Sequence, residues 1–176
     1  MQIRQAETKD AAGIAKVHVD SWRTTYKNIL PAEFLENLSY EQRTILWDSN
    51  ISDQTNYVVV AENAEGTIIG FGTAAKRKTN TVDGAADLTS IYLLEDYQSQ
   101  GIGKMLLAEL FLHFKRLGYK NVFVEVLEEN KTRYFYEYYG AKPIKSVEIK
   151  MAGTALKELI YEWDHLDAVL EKLTEK

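Results

Sequence analysis

The stretch Leu88-Thr89-Ser90-Ile91-Tyr92-Leu93-Leu94-Glu95-Asp96-Tyr97-Gln98-Ser99-Gln100-Gly101-Ile102-Gly103-Lys104 decides how this chain is read. Residues 87–94 form a buried strand, and the polar stretch 95–100 ends it. Two glycines then stand where a helix begins. Ile102, Met105, Leu106, Leu110 and Phe114 recur at helical spacing up to Gly118, which suits the left-handed position just past a helix. Residues 122–127 return to strand pattern, so the segment is a strand–helix–strand unit. The helix start offers unpaired backbone N–H groups and the positive end of the helix dipole, a place that can hold a pyrophosphate. Gly101 and Gly103 let the backbone approach phosphates closely, and Gln98 and Lys104 each stand ready to add a side-chain contact. A tight turn that keeps its glycines for steric reasons accounts for the same residues.

Two familiar phosphate motifs fail. A Walker loop needs Ser or Thr after its lysine, and here Met105 follows Lys104. A dinucleotide fingerprint needs a third glycine at position 106, which is Leu106. Neither an ATPase nor a nicotinamide-dependent enzyme fits.

Upstream, residues 2–6 alternate as a short first strand. Thr8 and Asp10 precede Ile14, Val17, Ser21 and Trp22, an amphipathic helix running to about Tyr26. Pro31 suits the first position of a short second helix carrying Phe34, Leu35 and Leu38. Ser39 with Gln42 forms a capping box for a third, with Ile45, Leu46 and Trp47. Residues 57–61 and 68–75 then read as a hairpin around the turn 63–66, with Lys76, Arg77 and Lys78 as the solvated end of the next loop. Downstream, residues 131–139 read as helix, 146–151 and 156–163 as strands, and 165–173 as a closing helix. The chain is thus expected to be an α/β (mixed α+β) layered domain with a twisted, mostly antiparallel sheet flanked by helices.

The chain has 176 residues, expected to form a single domain over 1–176, and a chain this long buries roughly 70% of its unfolded surface. It contains no cysteine, which removes disulfides, thiolate metal sites and any covalent cysteine intermediate. A formal charge of −5 argues against a general nucleic-acid binder and permits a cationic small substrate. The first residues are charged and carry no apolar signal core, and no apolar run approaches the ~20 residues of a membrane span, so a cytoplasmic protein without membrane partners is expected. His18, His113 and His165 are scattered among three elements without paired ligand spacing, and no metal is expected.

The Gln-x-x-Gly-x-Gly pattern of Gln98, Gly101 and Gly103 resembles the signature of the GNAT family of N-acetyltransferases. The likeness extends beyond it. Ser90-Ile91-Tyr92-Leu93 is similar to the strand whose backbone meets the pantetheine arm of acetyl-CoA. Val126-Leu127-Glu128-Glu129-Asn130 and Phe135-Tyr136-Glu137-Tyr138-Tyr139-Gly140-Ala141 resemble the second half of that cofactor site. Ser21-Trp22-Arg23 through Tyr26, Ile29-Leu30-Pro31 and Leu159-Ile160-Tyr161-Glu162-Trp163 resemble the acceptor helices and last core strand of one subgroup.

The resemblance implies the GNAT fold, with acetyl-CoA in a cleft where two central strands splay. It also implies transfer of an acetyl group to a primary amine by direct attack in a ternary complex, which agrees with the missing cysteine. Cofactor contacts would fall on Ile91, Tyr92, Leu93, Gln98, Ser99, Gln100, Gly101, Ile102, Gly103, Lys104, Asn130 and Tyr136. A backbone N–H among residues 91–93 would stabilise the charge growing on the thioester oxygen. Tyr136 would protonate the departing thiolate, as a phenol with an ordinary pKa of ~10 is suited to do. An amine of pKa ~10 is about one part in a thousand neutral at pH 7, so a base or water relay helps. Asp87, where many relatives have Glu, and Glu125, mid-strand in an apolar run, are the candidate bases. Trp22 and Tyr26, four apart on one helix, are candidates for lining the acceptor pocket. The acceptor is expected to be a small amine such as a polyamine, with a protein or peptide amine, or a non-catalytic acetyl-CoA sensor, as alternatives. The assembly is expected to be a monomer or homodimer.

Overall fold

A computed structural model describes residues 1–175. Strand β1 (Gln2–Gln5) leads through a 3-10 turn at Thr8–Asp10 into helix α1 (Ala11–Thr25), followed by α2 (Ala32–Glu36) and α3 (Tyr40–Ser52). Strands β2 (Tyr57–Glu62), β3 (Ile68–Ala75) and β4 (Ala85–Leu93) form a meander. Helix α4 (Ile102–Arg116) crosses to β5 (Asn121–Leu127). Helix α5 (Thr132–Tyr138), the hairpin β6 (Lys142–Met151) and β7 (Thr154–Trp163), and α6 (Leu166–Thr174) complete the chain. The seven strands make one sheet in the order β1-β2-β3-β4-β5-β7-β6, antiparallel throughout except between β4 and β5. The mixed α/β architecture expected from the sequence is therefore the one found.

Helices cover both faces of the sheet, which explains why Val58-Val59-Val60-Ala61 is apolar without alternation. Val59 and Ala61 pack under α4 with Leu106, Leu110 and Phe114. Val58 and Val60 face the other way, against Ile14 and Val17 of α1 and Trp47 of α3. Each fully buried side chain of this size contributes about 1.5–3 kcal/mol. Helix α4 lies close on β3 because glycine is there: a Cβ on Gly72 would meet Leu110 Cδ1 of α4 at 2.7 Å.

Two features of β4 build the site. The first is a bulge at Thr89. Thr73 pairs with Ser90 and Ala74 with Leu88, so Thr89 is an extra residue, and its hydroxyl donates to the Thr73 carbonyl at 3.1 Å. The bulge reverses the alternation. Leu88 packs under α4, whereas Tyr92, four residues on, packs on the α1 side. The second is divergence. β4 pairs with β5 only at Ala85–Asn121, Ala86–Val122 and Asp87–Phe123, yet β4 runs on to Leu93 and β5 to Leu127. A wedge therefore opens between two central strands.

The structure moves several boundaries. β6 begins at Lys142, four residues before the expected start, because an exposed edge strand needs no apolar alternation to stay paired with β7. Pro31 caps α2 from outside the helix, and Leu38 lies beyond its end. The loop at Lys76-Arg77-Lys78 is not wholly solvated. The Arg77 side chain is only 24% exposed and turns inward to acidic partners. No helix among the described residues is long and apolar enough to cross a membrane.

Candidate active site

The wedge leaves backbone groups of β4 without strand partners. The Leu94 N–H donates to the Ile69 carbonyl of β3 at 3.0 Å, and Leu93 sits opposite Gly70. In an antiparallel ladder alternate residues bond across, so Tyr92 and Leu94 face β3 while Ile91 and Leu93 point their N–H and C=O groups into the wedge. The Leu93 carbonyl accepts from Gln98 Nε2 at 3.1 Å, which agrees with that direction. The N–H groups of Ile91 and Leu93 are thus available to a ligand lying alongside β4.

Beyond the wedge stands the start of α4. Its first intrahelical bond runs from the Met105 N–H to the Gly101 carbonyl at 3.1 Å, so the N–H groups of Ile102, Gly103 and Lys104 have no helical acceptor. No side chain caps this end. Gly101 adopts φ +82° and Ser99 φ +59°, both in the left-handed region, in the turn that leads into the helix. Gln98 and Gln100 spend their amides inside the loop, on the carbonyls of Leu93 and Asp96. The Lys104 ammonium donates to the Glu175 carbonyl at 2.5 Å. A cleft of about 510 Å³ runs here, lined by Leu93, Gln98, Ser99, Gly101, Gly103, Lys104, Phe135 and Tyr139. Phosphate oxygens would find unpaired N–H donors at one end and a pantetheine-like amide chain would find β4 N–H groups at the other.

The cleft meets a second, smaller cavity of about 180 Å³ at Ile91, Tyr92 and Thr132, which line both. Its walls come from six elements. Trp22 and Tyr26 stack edge to face at 4.7 Å on α1. The Tyr26 hydroxyl pairs with that of Tyr92 at 3.1 Å and accepts from Asn130 Nδ2 at 3.4 Å. Asn130 Oδ1 in turn accepts the Thr132 N–H at 2.9 Å and so sets the start of α5. Tyr136, on that helix, is buried against Trp163 and reaches the cavity. Burial and the neighbouring Tyr26 push the Tyr136 phenol well up, with Arg77 pulling the other way. Tyr26 and Tyr92 are also raised by burial, so all three phenols keep their protons at neutral pH.

The acidic residues divide. Asp87 is buried and does not line the cavity. Its carboxylate accepts the Arg77 backbone N–H at 2.8 Å and Asn80 Nδ2 at 3.0 Å, and lies 3.3 Å from the Arg77 guanidinium. It therefore tethers the β3–β4 connection. Glu125 does line the cavity, 3.7 Å from Arg77 Nε. Two further charged residues line it that sequence reasoning passed over, Arg77 and Glu158. Arg77 reads as loop, and only the fold shows its guanidinium directed inward. Glu158 had a faint signal, since Leu156 and Ile160 flank it two residues away on the same strand face. The three histidines stay apart, and among the described residues no three acidic or His side chains gather as a metal ligand set.

Comparison with known proteins follows the same outline. The profile of the Acetyltransferase (GNAT) family matches residues 18–141. The chain is 35% identical, over 95% of its own length and 95% of the relative's, to an uncharacterized N-acetyltransferase, YuaI, of Bacillus subtilis. It is 25% identical to a spermidine N(1)-acetyltransferase of Thermoplasma acidophilum, covering 78% of this chain and 85% of that one. A crystal structure of a PaiA N-acetyltransferase from Thermoplasma acidophilum in complex with coenzyme A superposes with a TM-score of 0.71 at 25% identity, over 93% of this chain and 98% of that one.

Proposed function

Because this chain belongs to the GNAT family of acetyltransferases, we propose that its cleft and cavity serve the two halves of one reaction, acetyl transfer from acetyl-CoA to a primary amine. One observation carries the reading. The unpaired N–H groups of Ile91 and Leu93 lie between the uncapped start of α4 and the amine-sized cavity that Tyr136 borders. Acetyl-CoA, held along β4 and α4, supplies a thioester carbonyl activated towards amines. The N–H groups of Ile102, Gly103 and Lys104 receive phosphate oxygens. Those of Ile91 and Leu93 hold the arm and stabilise the charge that grows on the thioester oxygen. Asn130 positions Tyr26 and the first turn of α5, and through it Tyr136. The Tyr136 phenol, kept protonated by burial, donates to the departing thiolate.

The acceptor enters as a cation. Glu125 and Glu158 outnumber Arg77 in the cavity, and the aromatic faces of Trp22, Tyr26 and Tyr92 favour an ammonium. This supports a small amine, a polyamine among them, as does the distant spermidine acetyltransferase relative.

The test is thiol release from acetyl-CoA across spermidine, simple aliphatic monoamines and a peptide with a free α-amine. Turnover on a small amine supports the reading. Tight coenzyme A binding with no turnover on any amine would overturn it in favour of a sensor. Tyr136→Phe is expected to lower turnover at least about tenfold with little change in the KM for acetyl-CoA. Unchanged turnover removes the role of that phenol.

A further inference from the structure

We propose that Glu158 is the group on which the acceptor ammonium docks and to which it gives up its proton. The inference rests on the acetyl-transfer reading and assigns the base within that same site. Of the three candidate carboxylates, Asp87, Glu125 and Glu158, two are committed. Asp87 is held by the Arg77 and Asn80 donors, and Glu125 faces Arg77. Glu158, half-buried on β7, lines the cavity and has no hydrogen-bond or ion-pair partner among the described residues. Its place follows from register. Leu127 lies opposite Glu158 and Glu125 opposite Ile160, so the two glutamates stand diagonally on one face of the β5–β7 pair.

The charged and titratable side chains that share the cavity with Glu158 come from several elements. Glu125 approaches from β5, Arg77 from the β3–β4 connection, Tyr26 from α1, Tyr92 from β4 and Tyr136 from α5. On β6, Val147 lies opposite Glu158, and Lys145, opposite Ile160, is the diagonal neighbour. Burial and Glu125 raise the Glu158 carboxyl above its ordinary value, and Arg77 opposes them. A carboxylate raised in this way is a better proton acceptor than an exposed glutamate.

The proton balance closes. Glu158 takes one proton from the ammonium, and the freed lone pair forms the C–N bond as the C–S bond breaks. Tyr136 gives its proton to the thiolate and is reprotonated by the second N–H proton of the new amide nitrogen. Glu158 releases its proton to solvent, so each turnover yields amide, free thiol and one proton.

The experiment pairs Glu158→Gln with Glu158→Asp, Glu125→Gln and the wild type, using spermidine as probe. Glu158→Gln is expected to lose about 100-fold in kcat/KM at pH 7 and to lose the acidic limb of the pH profile, while binding coenzyme A within about twofold of wild type. Glu158→Asp keeps the limb. Glu125→Gln removes the repulsion that raises Glu158 and moves the limb to lower pH. A Glu158→Gln enzyme that retains the wild-type limb, or loses less than about threefold, overturns the proposal. A second readout needs no turnover. With carboxyl-labelled glutamate, one carbon resonance absent from Glu158→Gln should titrate above the other glutamates and shift when spermidine is added with coenzyme A. If no amine is acetylated but this resonance moves, the transfer reading fails and the docking site stands. If the resonance titrates with the rest and ignores spermidine, Glu158 is excluded whether or not transfer occurs.

Discussion

His18 shows how one side chain outside the reacting groups shapes the cavity. It sits on α1 with its ring edge to face with Trp22 and Phe71 and stacked on Tyr92, at centroid distances of 5.6, 6.0 and 5.8 Å. Its Nδ1 accepts from Trp47 Nε1 at 3.0 Å, so the ring is neutral with its proton on Nε2. Burial, helped by Arg43, pushes its pKa down from 6.5 to about 4. The folded state therefore binds this proton less readily than the unfolded chain. The associated stability is fully present above pH 6.5 and is lost as pH falls towards 4, by about 3 kcal/mol. His18→Asn keeps an acceptor near Nδ1 and removes the titration. Urea unfolding from pH 7 to 4 should show a wild-type decline that is shallower in the variant; parallel declines would mean that His18 does not carry it. No motif marked this residue. Its spacing put it on the flank of an amphipathic helix, and its aromatic enclosure comes from α3, β3 and β4.

At the level of elements, what was legible depended on whether local spacing decided the outcome. The α4 start and the order of strand and helix around it are visible because glycine, polar loop and apolar period lie within one short segment. The edge strand β6 was cut short because Lys142, Pro143 and Lys145 carry no core-facing pattern. It exists by pairing with β7, which has one. The close fit of β3 against the end of β4 is a further element-scale fact, and it rests on Gly70. Gly70→Ala would press a methyl against Leu93 Cδ1 at 2.7 Å, the Tyr92 carbonyl at 3.1 Å and Leu106 Cδ1 at 3.4 Å. Overpacking of this kind costs about 1–3 kcal/mol. The strain falls on the end of β4, so urea unfolding should show the loss and the KM for acetyl-CoA should rise with it. Reduced stability with an unchanged KM would mean that the strain is absorbed on the side of β3.

At the scale of the whole molecule the sheet is two parts joined at a narrow root. β1 to β4 lie on one side and β5 to β7 on the other, with three residue pairs between β4 and β5 and helix α4 spanning the join. The strand–helix–strand unit around the root was readable, and the resemblance implied a cleft between two splayed central strands. The cavity's charges were not readable, because Arg77, Glu125 and Glu158 meet through a loop turned inward and a cross-strand register that no local window contains. A ligand filling the wedge would satisfy N–H groups of both β4 and α4 and hold the two parts together, and it has no such site in the unfolded chain. Coenzyme A at 100 times its dissociation constant should therefore add about 2.7 kcal/mol. For a chain of this size that raises the melting temperature by roughly 5–10 °C. ATP carries the phosphates without the pantetheine arm, reaches only the α4 end and should give a much smaller rise at equal concentration. Equal shifts from both would place the binding energy at the helix start alone. The wedge, and with it the unpaired N–H groups of Ile91 and Leu93, would then contribute nothing to holding the cofactor.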